Sequence, residues 1–439
     1  MIDRSGPFAS RNSRLFVGFT TFYNARAYYP VLAVFFTDLG LSIGQFVMLN
    51  AVWAAAIVLL EVPSGALADT LGRKRLLVFS AALMVVEMAI LLVAPKDGGA
   101  WLFGLCLVNR FLSGMSEAAA SGADEAIAYD ALPDEGRDGA WDEVLATAMR
   151  WRSAGFLISM TLGGLLYDPS WWNGLVPGAL EVPVEVARRL PVAVVFLQGL
   201  VCLAFALRFE ESIEPRVGGV GARCASATRL VMRTAIMAVT TRRIAVVLAV
   251  GLLIDSVARN FATLVSEYYR LVGIPAWSFG LIGSLVAVGN WFVPGVAKRA
   301  NERFSALTVL LLGGAVSTVA LGMLAPAWPW VGLAPAMAMF LVMGFVGFTV
   351  SRFLHGVAES SQRATLLSVK GLVFNLGYGA YSFGFSLLLA GLNARGDGSF
   401  QAALGWQTWF FGGAFVLFAL GGRRLWRSGG KPRGSAVEG

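Results

Sequence analysis

Residues 62–77 read VPSGALADTLGRKRLL, and this short polar loop between two long apolar runs decides the fold. Gly65, Asp69, Gly72 and Arg73 stand in the pattern G-x-x-x-D-x-x-G-R-K. The glycines permit a tight turn and a close approach of two helices. Asp69 is suited to capping a helix start, and the basic residues favour the inner side of a membrane. The loop therefore predicts two membrane helices joined at the inner surface.

The composition extends that prediction to the whole chain. Of 439 residues, 57% are hydrophobic and 14% are charged, and the mean hydropathy is +0.68. This charge content is well below that of an ordinary soluble domain. One crossing of a bilayer takes about 20 apolar residues. The apolar runs predict an all-α membrane protein with twelve transmembrane helices, near 15–38, 43–67, 75–95, 101–125, 143–167, 191–208, 244–270, 277–297, 305–326, 330–354, 363–391 and 405–422.

The basic residues outside the predicted spans are distributed unequally. With the N-terminus inside, 23 Lys and Arg residues lie in inner segments and five lie in outer segments. This asymmetry follows the positive-inside rule for an even number of crossings. It predicts an integral multi-pass protein of the cell inner (plasma) membrane with both termini cytoplasmic. The same placement argues against a nucleic-acid partner, despite the formal net charge of +8.

The longest inner interruption divides the predicted spans six and six. The predicted domains are an N-terminal six-helix bundle, a cytoplasmic linker, a C-terminal six-helix bundle and a basic cytoplasmic tail, at 1–208, 209–242, 243–427 and 428–439. A shift of 233 positions superposes Arg26 on Arg259 and Gly40 on Gly273. The two bundles are therefore predicted to be pseudo-symmetric copies.

The loop at 62–77 resembles the signature loop of the major facilitator superfamily, a family of membrane transporters. Arg110 and Gly114 in the fourth predicted span are similar to a second family element, R-x-x-x-G. The resemblance implies two six-helix bundles around a central cavity and alternating access by rocking of one bundle against the other. The position of the loop, its inner side and the twelve predicted spans agree with this family.

The resemblance also implies a gate. In the family, the Asp and Arg of the signature loop help to lock the two bundles in the outward-facing state. Carried over to this sequence, Asp69 and Arg73 take that role, with Asp124, Glu125 or Asp130 as candidate partners of Arg73.

Ionisable side chains inside the predicted spans are costly in hydrocarbon and are therefore candidates for function. Arg110, Glu117 and Asp124 are seven residues apart, which predicts that they share one helix face directed toward the bundle interior. On the functional hypothesis, Glu117 accepts a proton, and its charge is coupled to Arg110 and to the substrate. The alternative is a static ion pair that holds helices together.

Two further sets of charges are candidate substrate or coupling groups. Arg26 and Arg259 occupy matching positions in the first helix of each predicted half, and two facing arginines would favour a carboxylate or phosphate. Asp255 lies four residues before Arg259 and is placed to neutralise it locally. Lys370 in the eleventh predicted span is placed to snorkel, to line the cavity or to bind a carboxylate.

Together these features predict a secondary active transporter that moves a small organic solute by proton-coupled efflux. A Gly-Pro pair that marks antiporters of the family is absent from the fifth predicted span, so uptake of an organic anion by proton symport stays open. A non-transporting receptor with the same fold is a further alternative. The sequence holds no G-x-x-x-x-G-K-[ST] loop, which argues against direct use of ATP. It also holds no G-x-S-x-G motif, which argues against an enzyme.

With one histidine and three cysteines, neither a metal nor another cofactor is expected. The predicted partners are a small-molecule substrate, membrane lipid and protons, and the predicted state is a monomer.

Overall fold

The computed structural model describes residues 6–175, 181–211, 220–357, 363–396 and 399–428. Short 3-10 helices in this part cover Gly6–Phe8, Tyr29–Val31 and Ala276–Ser278. The α-helices are α1 (Arg11–Asn24), α2 (Leu32–Asp38), α3 (Ile43–Leu71), α4 (Arg73–Val93), α5 (Gly99–Ala120), α6 (Ala123–Tyr129), α7 (Arg137–Tyr167), α8 (Pro169–Leu175), α9 (Val184–Arg208), α10 (Val220–Thr240), α11 (Arg242–Leu271), α12 (Phe279–Arg303), α13 (Ala306–Leu324), α14 (Leu333–Val357), α15 (Arg363–Ala394) and α16 (Phe400–Ser428).

Nine of the described helices are long and apolar enough to cross a membrane, namely α3, α4, α9 and α11 to α16. The prediction of a helical multi-pass membrane protein is confirmed. The predicted spans near 15–38, 101–125 and 143–167 are not among the nine. Helix α1 has only 14 residues, and Arg110 in α5 and the arginines 150 and 152 in α7 lower the mean hydropathy of their helices. The number twelve therefore stays a prediction.

Two of the predicted spans are interrupted. The first is broken at residues 25–28, between α1 and the 3-10 helix Tyr29–Val31. The fourth ends as α5 at Ala120, and Gly122 then has a left-handed φ of 74° before α6 begins. The prediction that Asp124 continues the helix face of Arg110 and Glu117 is therefore wrong, because Asp124 belongs to the first turn of a separate helix.

The described residues form two compact units. Unit 1 takes its residues from Met1–Ala227 and Ile274–Leu285, and unit 2 from Thr228–Gly273 and Val286–Gly439. Helix α12 therefore begins in unit 1 and continues in unit 2. Helix α10 lies within the segment predicted as a linker.

The same helix pairs recur in each unit. In unit 1, α4 packs on α5 and α9, and α1 packs on α7 and α9. In unit 2, α13 packs on α14 and α16, and α11 packs on α15 and α16. A shift of 233 positions brings α1, α4, α5 and α7 onto α11, α13, α14 and α15, which agrees with a duplicated origin.

Two turns support the same relation. Gly40 and Gly273, which the shift superposes, have φ angles of 112° and 75°. Side chains with a Cβ rarely adopt this region of backbone conformation. Each copy therefore needs glycine at the turn that precedes its next helix.

Burial distinguishes central helices from peripheral ones. In the most apolar window of α11, 72% of the residues are buried inside the protein, whereas in α12 the share is 17%. Trp291 and Phe292 of α12 are 74% and 66% exposed. Because aromatic side chains of this size are stable in hydrocarbon, such a surface fits contact with lipid.

We expect Gly163→Ala in α7 to destabilise unit 1, because a Cβ at Gly163 would overlap the backbone carbonyl oxygen of Ala27. Over-packing of this kind costs about 1–3 kcal/mol. Thermal unfolding in detergent measures the effect. The matched control is Gly139→Ala in the same helix, where a Cβ meets nothing within 4 Å. An equal midpoint for the two variants would contradict the close packing.

Candidate functional site

The signature loop forms a sharp corner between α3 and α4. Gly72 lies at this corner with a φ of 98°, and Arg73 is the first residue of α4. Asp69 lies in the last turn of α3, but its side chain is outside the described part of the structure. At Gly65 a Cβ would meet nothing within 4 Å, so this position does not require glycine for space.

Arg73 connects the loop to the end of α6. Its Nη1 donates a hydrogen bond of 3.0 Å to the carbonyl oxygen of Ala126 and forms an ion pair with the Asp130 carboxylate. Of the three candidate partners, Asp130 is thus the one that contacts Arg73. Asp124 instead accepts a hydrogen bond of 2.8 Å from the Glu125 backbone N–H. The loop is held by α6, although its role as a gate stays a prediction.

The neighbouring residues of α6 and α7 stiffen this end of unit 1. The Tyr129 hydroxyl donates to Asp138 at 3.0 Å, and this hydrogen bond to a carboxylate raises the pKa of Tyr129. The Arg137 guanidinium lies over the Tyr129 ring at 5.4 Å, and Trp141 meets the ring edge-on.

Two glutamates after α9 also bind this end of unit 1, and the sequence analysis missed both. Glu210 forms an ion pair of 2.6 Å with Arg11, and its backbone carbonyl and N–H both bond the Asn12 side chain. Glu211 accepts a hydrogen bond of 2.9 Å from the backbone N–H of Lys74. The sequence signal was an acidic pair placed directly after a helix in a chain whose inner segments are basic.

Arg26 lies in the break of the first span and is 3% exposed. Its Nη1 is 2.6 Å from Oε1 of Glu87 in α4, and its guanidinium lies 5.1 Å from the centre of the Tyr23 ring. Asn109 donates a hydrogen bond of 2.7 Å to the Glu87 carbonyl oxygen. The predicted substrate contact is therefore the cationic half of a buried ion pair in this structure. The sequence analysis did not connect Arg26 with Glu87.

Arg110 is buried in the middle of α5 and bonds to α3. Its Nη2 donates to the Asn50 side chain at 2.7 Å, and its guanidinium lies 5.9 Å from the Trp53 ring centre. Glu117, two turns further along α5, is exposed. Among the described residues, no ion pair to Glu117 is found. Arg110 is thus held by a hydrogen bond to α3, whereas the Glu117 side chain is exposed.

Arg259 in α11 is the centre of a polar cluster in unit 2. It forms an ion pair of 2.7 Å with Asp255 one turn earlier, which confirms the predicted local neutralisation. It also donates to the Asn375 side chain of α15 at 2.8 Å and lies over the Tyr378 ring at 5.4 Å. The Arg259 side chain remains 26% exposed, so one face of the cluster is accessible.

Lys370 of α15 binds the neighbouring helix α14. Its ammonium donates to the Ser351 hydroxyl at 2.8 Å and to the Gly347 carbonyl oxygen at 3.3 Å. The Phe374 ring lies 5.5 Å from the same nitrogen. The structure therefore places Lys370 in a helix–helix contact.

Comparison with known proteins matches residues 14–382 to the model of the Major Facilitator Superfamily. The chain belongs to this family. The predicted family resemblance is confirmed. A search of curated protein sequences finds no match.

Solved structures of transporters share the fold of this family member. The nucleoside transporter NupG is 14% identical, with a TM-score of 0.68 over 95% of this chain and 99% of that one. A D-xylose-proton symporter is 14% identical, with a TM-score of 0.66 over 96% and 97%. A bacterial homolog of the human lysosomal transporter Spinster, solved inward-facing and unoccupied, is 15% identical, with a TM-score of 0.68 over 96% and 98%.

We expect Glu87→Ala to destabilise unit 1 by about 3–5 kcal/mol, because it leaves the Arg26 cation buried without a counter-ion. Thermal unfolding in detergent measures the loss. The double variant Arg26→Met with Glu87→Leu should recover most of it, since it removes both charges. The control Glu185→Ala removes a carboxylate that pairs with Lys96 at the exposed surface and should leave the midpoint unchanged. Equal stability of Glu87→Ala and the parent would show that the buried pair is unimportant.

Proposed function

We propose that this protein is a secondary active transporter that exports a small organic solute by alternating access and uses the proton gradient. The observation that carries the proposal is the exposed Glu117 carboxylate on α5, two turns from the buried cation of Arg110. A carboxylate within an apolar helix exchanges protons at a free energy that depends on nearby charge. Binding of a solute beside Glu117 can therefore release or take up a proton.

The ion pairs of Arg26 and Arg259 affect which charge of solute the protein can bind. Arg26 and Arg259 are each neutralised by a carboxylate at 2.6 and 2.7 Å, so neither provides an isolated cation for an anionic solute. This arrangement supports a neutral or cationic solute more than an organic anion. The Asp255–Arg259 pair is more accessible than the Arg26–Glu87 pair. Uptake of an anion by symport would first have to open the Asp255–Arg259 pair to free the Arg259 cation.

The ion pair of Arg73 with Asp130 supports a protein that cycles between states. We propose that this pair, which lies within unit 1, fixes the signature loop for a role as a gate in one end state of the transport cycle. A receptor that binds without moving its ligand has less need for such a gate. We further propose cytoplasmic termini, a location in the inner (plasma) membrane, and a monomer as the working unit.

The function is tested with the purified protein in proteoliposomes of fixed internal pH. A panel of labelled organic cations, neutral compounds and organic anions is offered with and without an imposed proton gradient. Movement that follows the gradient supports the proposal, and its sign gives the direction. Binding without movement would favour the receptor, and gradient-driven accumulation of anions alone would favour anion symport.

Glu117→Gln should abolish the effect of the proton gradient, because the amide cannot titrate. Exchange of solute down its own gradient should persist. The matched control is Glu302→Gln, which changes an exposed glutamate that pairs with Lys298 at the end of α12. If Glu117→Gln still accumulates solute against its gradient, the proton is carried elsewhere.

Asp130→Arg should slow transport about tenfold, because it replaces the ion pair with Arg73 by a repulsion between two cations. A tenfold effect corresponds to a change of about 1.4 kcal/mol in the free energy of one end state. The additional substitution Arg73→Asp should restore the pair with reversed polarity and recover most of the rate. Asp124→Asn should leave the rate near that of the parent, because Asp124 does not contact Arg73. A strong defect in Asp124→Asn alone, with none in Asp130→Arg, would reverse the assignment.

A further inference from the structure

A groove in unit 2 lies where α10, the start of α11 and the end of α16 meet. Its volume is about 540 Å³, within the range of sites that hold small ligands. Its wall is apolar apart from one cation, and the lining residues include Val239, Arg242, Val246, Leu417, Phe418 and Gly421. A long apolar ligand with a negative end matches this distribution of polarity.

Two adjacent glycines shape the groove on the α16 side. At Gly422 a Cβ would lie 3.4 Å from Val246 of α11, so glycine allows the two helices to approach closely. At Gly421 a Cβ would meet nothing within 4 Å. The open space beside Gly421 is part of the groove and would be filled by a larger side chain.

Helix α10 has the surface of a helix that lies at a membrane interface. Met232, Ile236 and Val239 recur at intervals of four and three residues and are 57%, 54% and 66% exposed. Arg229 and Arg233, also exposed, follow next to this apolar face. Such a helix inserts its apolar side among acyl chains and keeps its cations at the level of the phosphates. This surface favours a position of α10, and of the groove beside it, at the depth where headgroup and acyl chain meet.

Residues next in sequence to the groove lining of α11 and α16 have the same polarity. Arg243 lies over the Trp426 ring at 5.3 Å, and the exposed Arg424 is nearby in sequence on α16. Tryptophan and arginine are enriched at the headgroup level of membranes. Cations and an aromatic ring thus lie within a few residues of Arg242 and Gly422, which line the groove.

We propose that this groove is a binding site for one anionic phospholipid, with an acyl chain between α11 and α16 and the phosphate at Arg242. Binding of an anionic headgroup is favoured about fivefold for each nearby Lys or Arg, whereas a zwitterionic headgroup gains less. The basic sequence at 428–439 is a poorer occupant, because it would bring further cations to Arg242 and polar groups into an apolar groove. The site is independent of the transported solute.

The test is native mass spectrometry of the full-length protein in nanodiscs of phosphatidylglycerol mixed with phosphatidylethanolamine. The parent should retain one phosphatidylglycerol after mild activation. Gly421→Leu should remove this adduct, because the leucine side chain occupies the place of the acyl chain. The matched control Gly413→Leu changes an exposed glycine of the same helix that also has free space but does not line the groove, and it should retain the lipid.

Arg242→Gln should weaken retention of phosphatidylglycerol by about fivefold, the factor that corresponds to one arginine near an anionic surface. Arg242→Lys should restore most of it. Thermal midpoints show whether each variant is folded. Equal retention of the two lipids, an adduct that survives in Gly421→Leu, or loss of the adduct in Gly413→Leu as well would overturn the proposal. A dimer peak that disappears only in Gly421→Leu would assign the groove to a second copy of the chain and would also overturn it.

Discussion

An ionised group in hydrocarbon must be paired, hydrogen-bonded or open to an aqueous cavity, and this constraint organises both units. Arg26 and Glu87 meet this constraint by forming a buried ion pair, and Arg73 meets it by pairing with Asp130 at the end of α6. Arg259 satisfies it within its own helix through Asp255, one turn away. The first two ion pairs therefore connect different elements at fixed points, and the third neutralises a charge within one helix.

Between those fixed points, close packing by small residues holds the helices together. Burial of apolar surface does not favour association of helices in lipid, because the surrounding tails are equally apolar. Gly114 of α5 lies against Ala56 and the Trp53 carbonyl of α3, and Gly163 of α7 lies against Ala27. Such contacts bring polar backbone groups close to one another. They explain why α5 carries both a glycine and a buried arginine toward the same neighbour, α3.

Local features of the structure could be predicted from the sequence, and contacts between distant residues could not. The apolar runs, the glycine turns at 40 and 273 and the pair of Asp255 with Arg259 all depend on residues within a few positions of each other. The partners of Arg26 and Arg110 lie 61 and 60 residues away, and several arrangements of helices would satisfy the same sequence. The helix breaks beside Arg26 and at Gly122 were also missed, because hydropathy averages over the residues that interrupt a helix.

The distance in sequence between Arg26 and Glu87 has a consequence for biosynthesis. During translation the first helices emerge 61 residues before the carboxylate that neutralises their cation. At about 5–20 residues per second, this delay is roughly 3 to 12 s. In that interval the cation has no partner within α4, and the hydrocarbon of the bilayer is an unfavourable place for it. Full entry of the first segment into the bilayer is therefore disfavoured until α4 arrives, and a position near water or the lipid headgroups is favoured in the meantime.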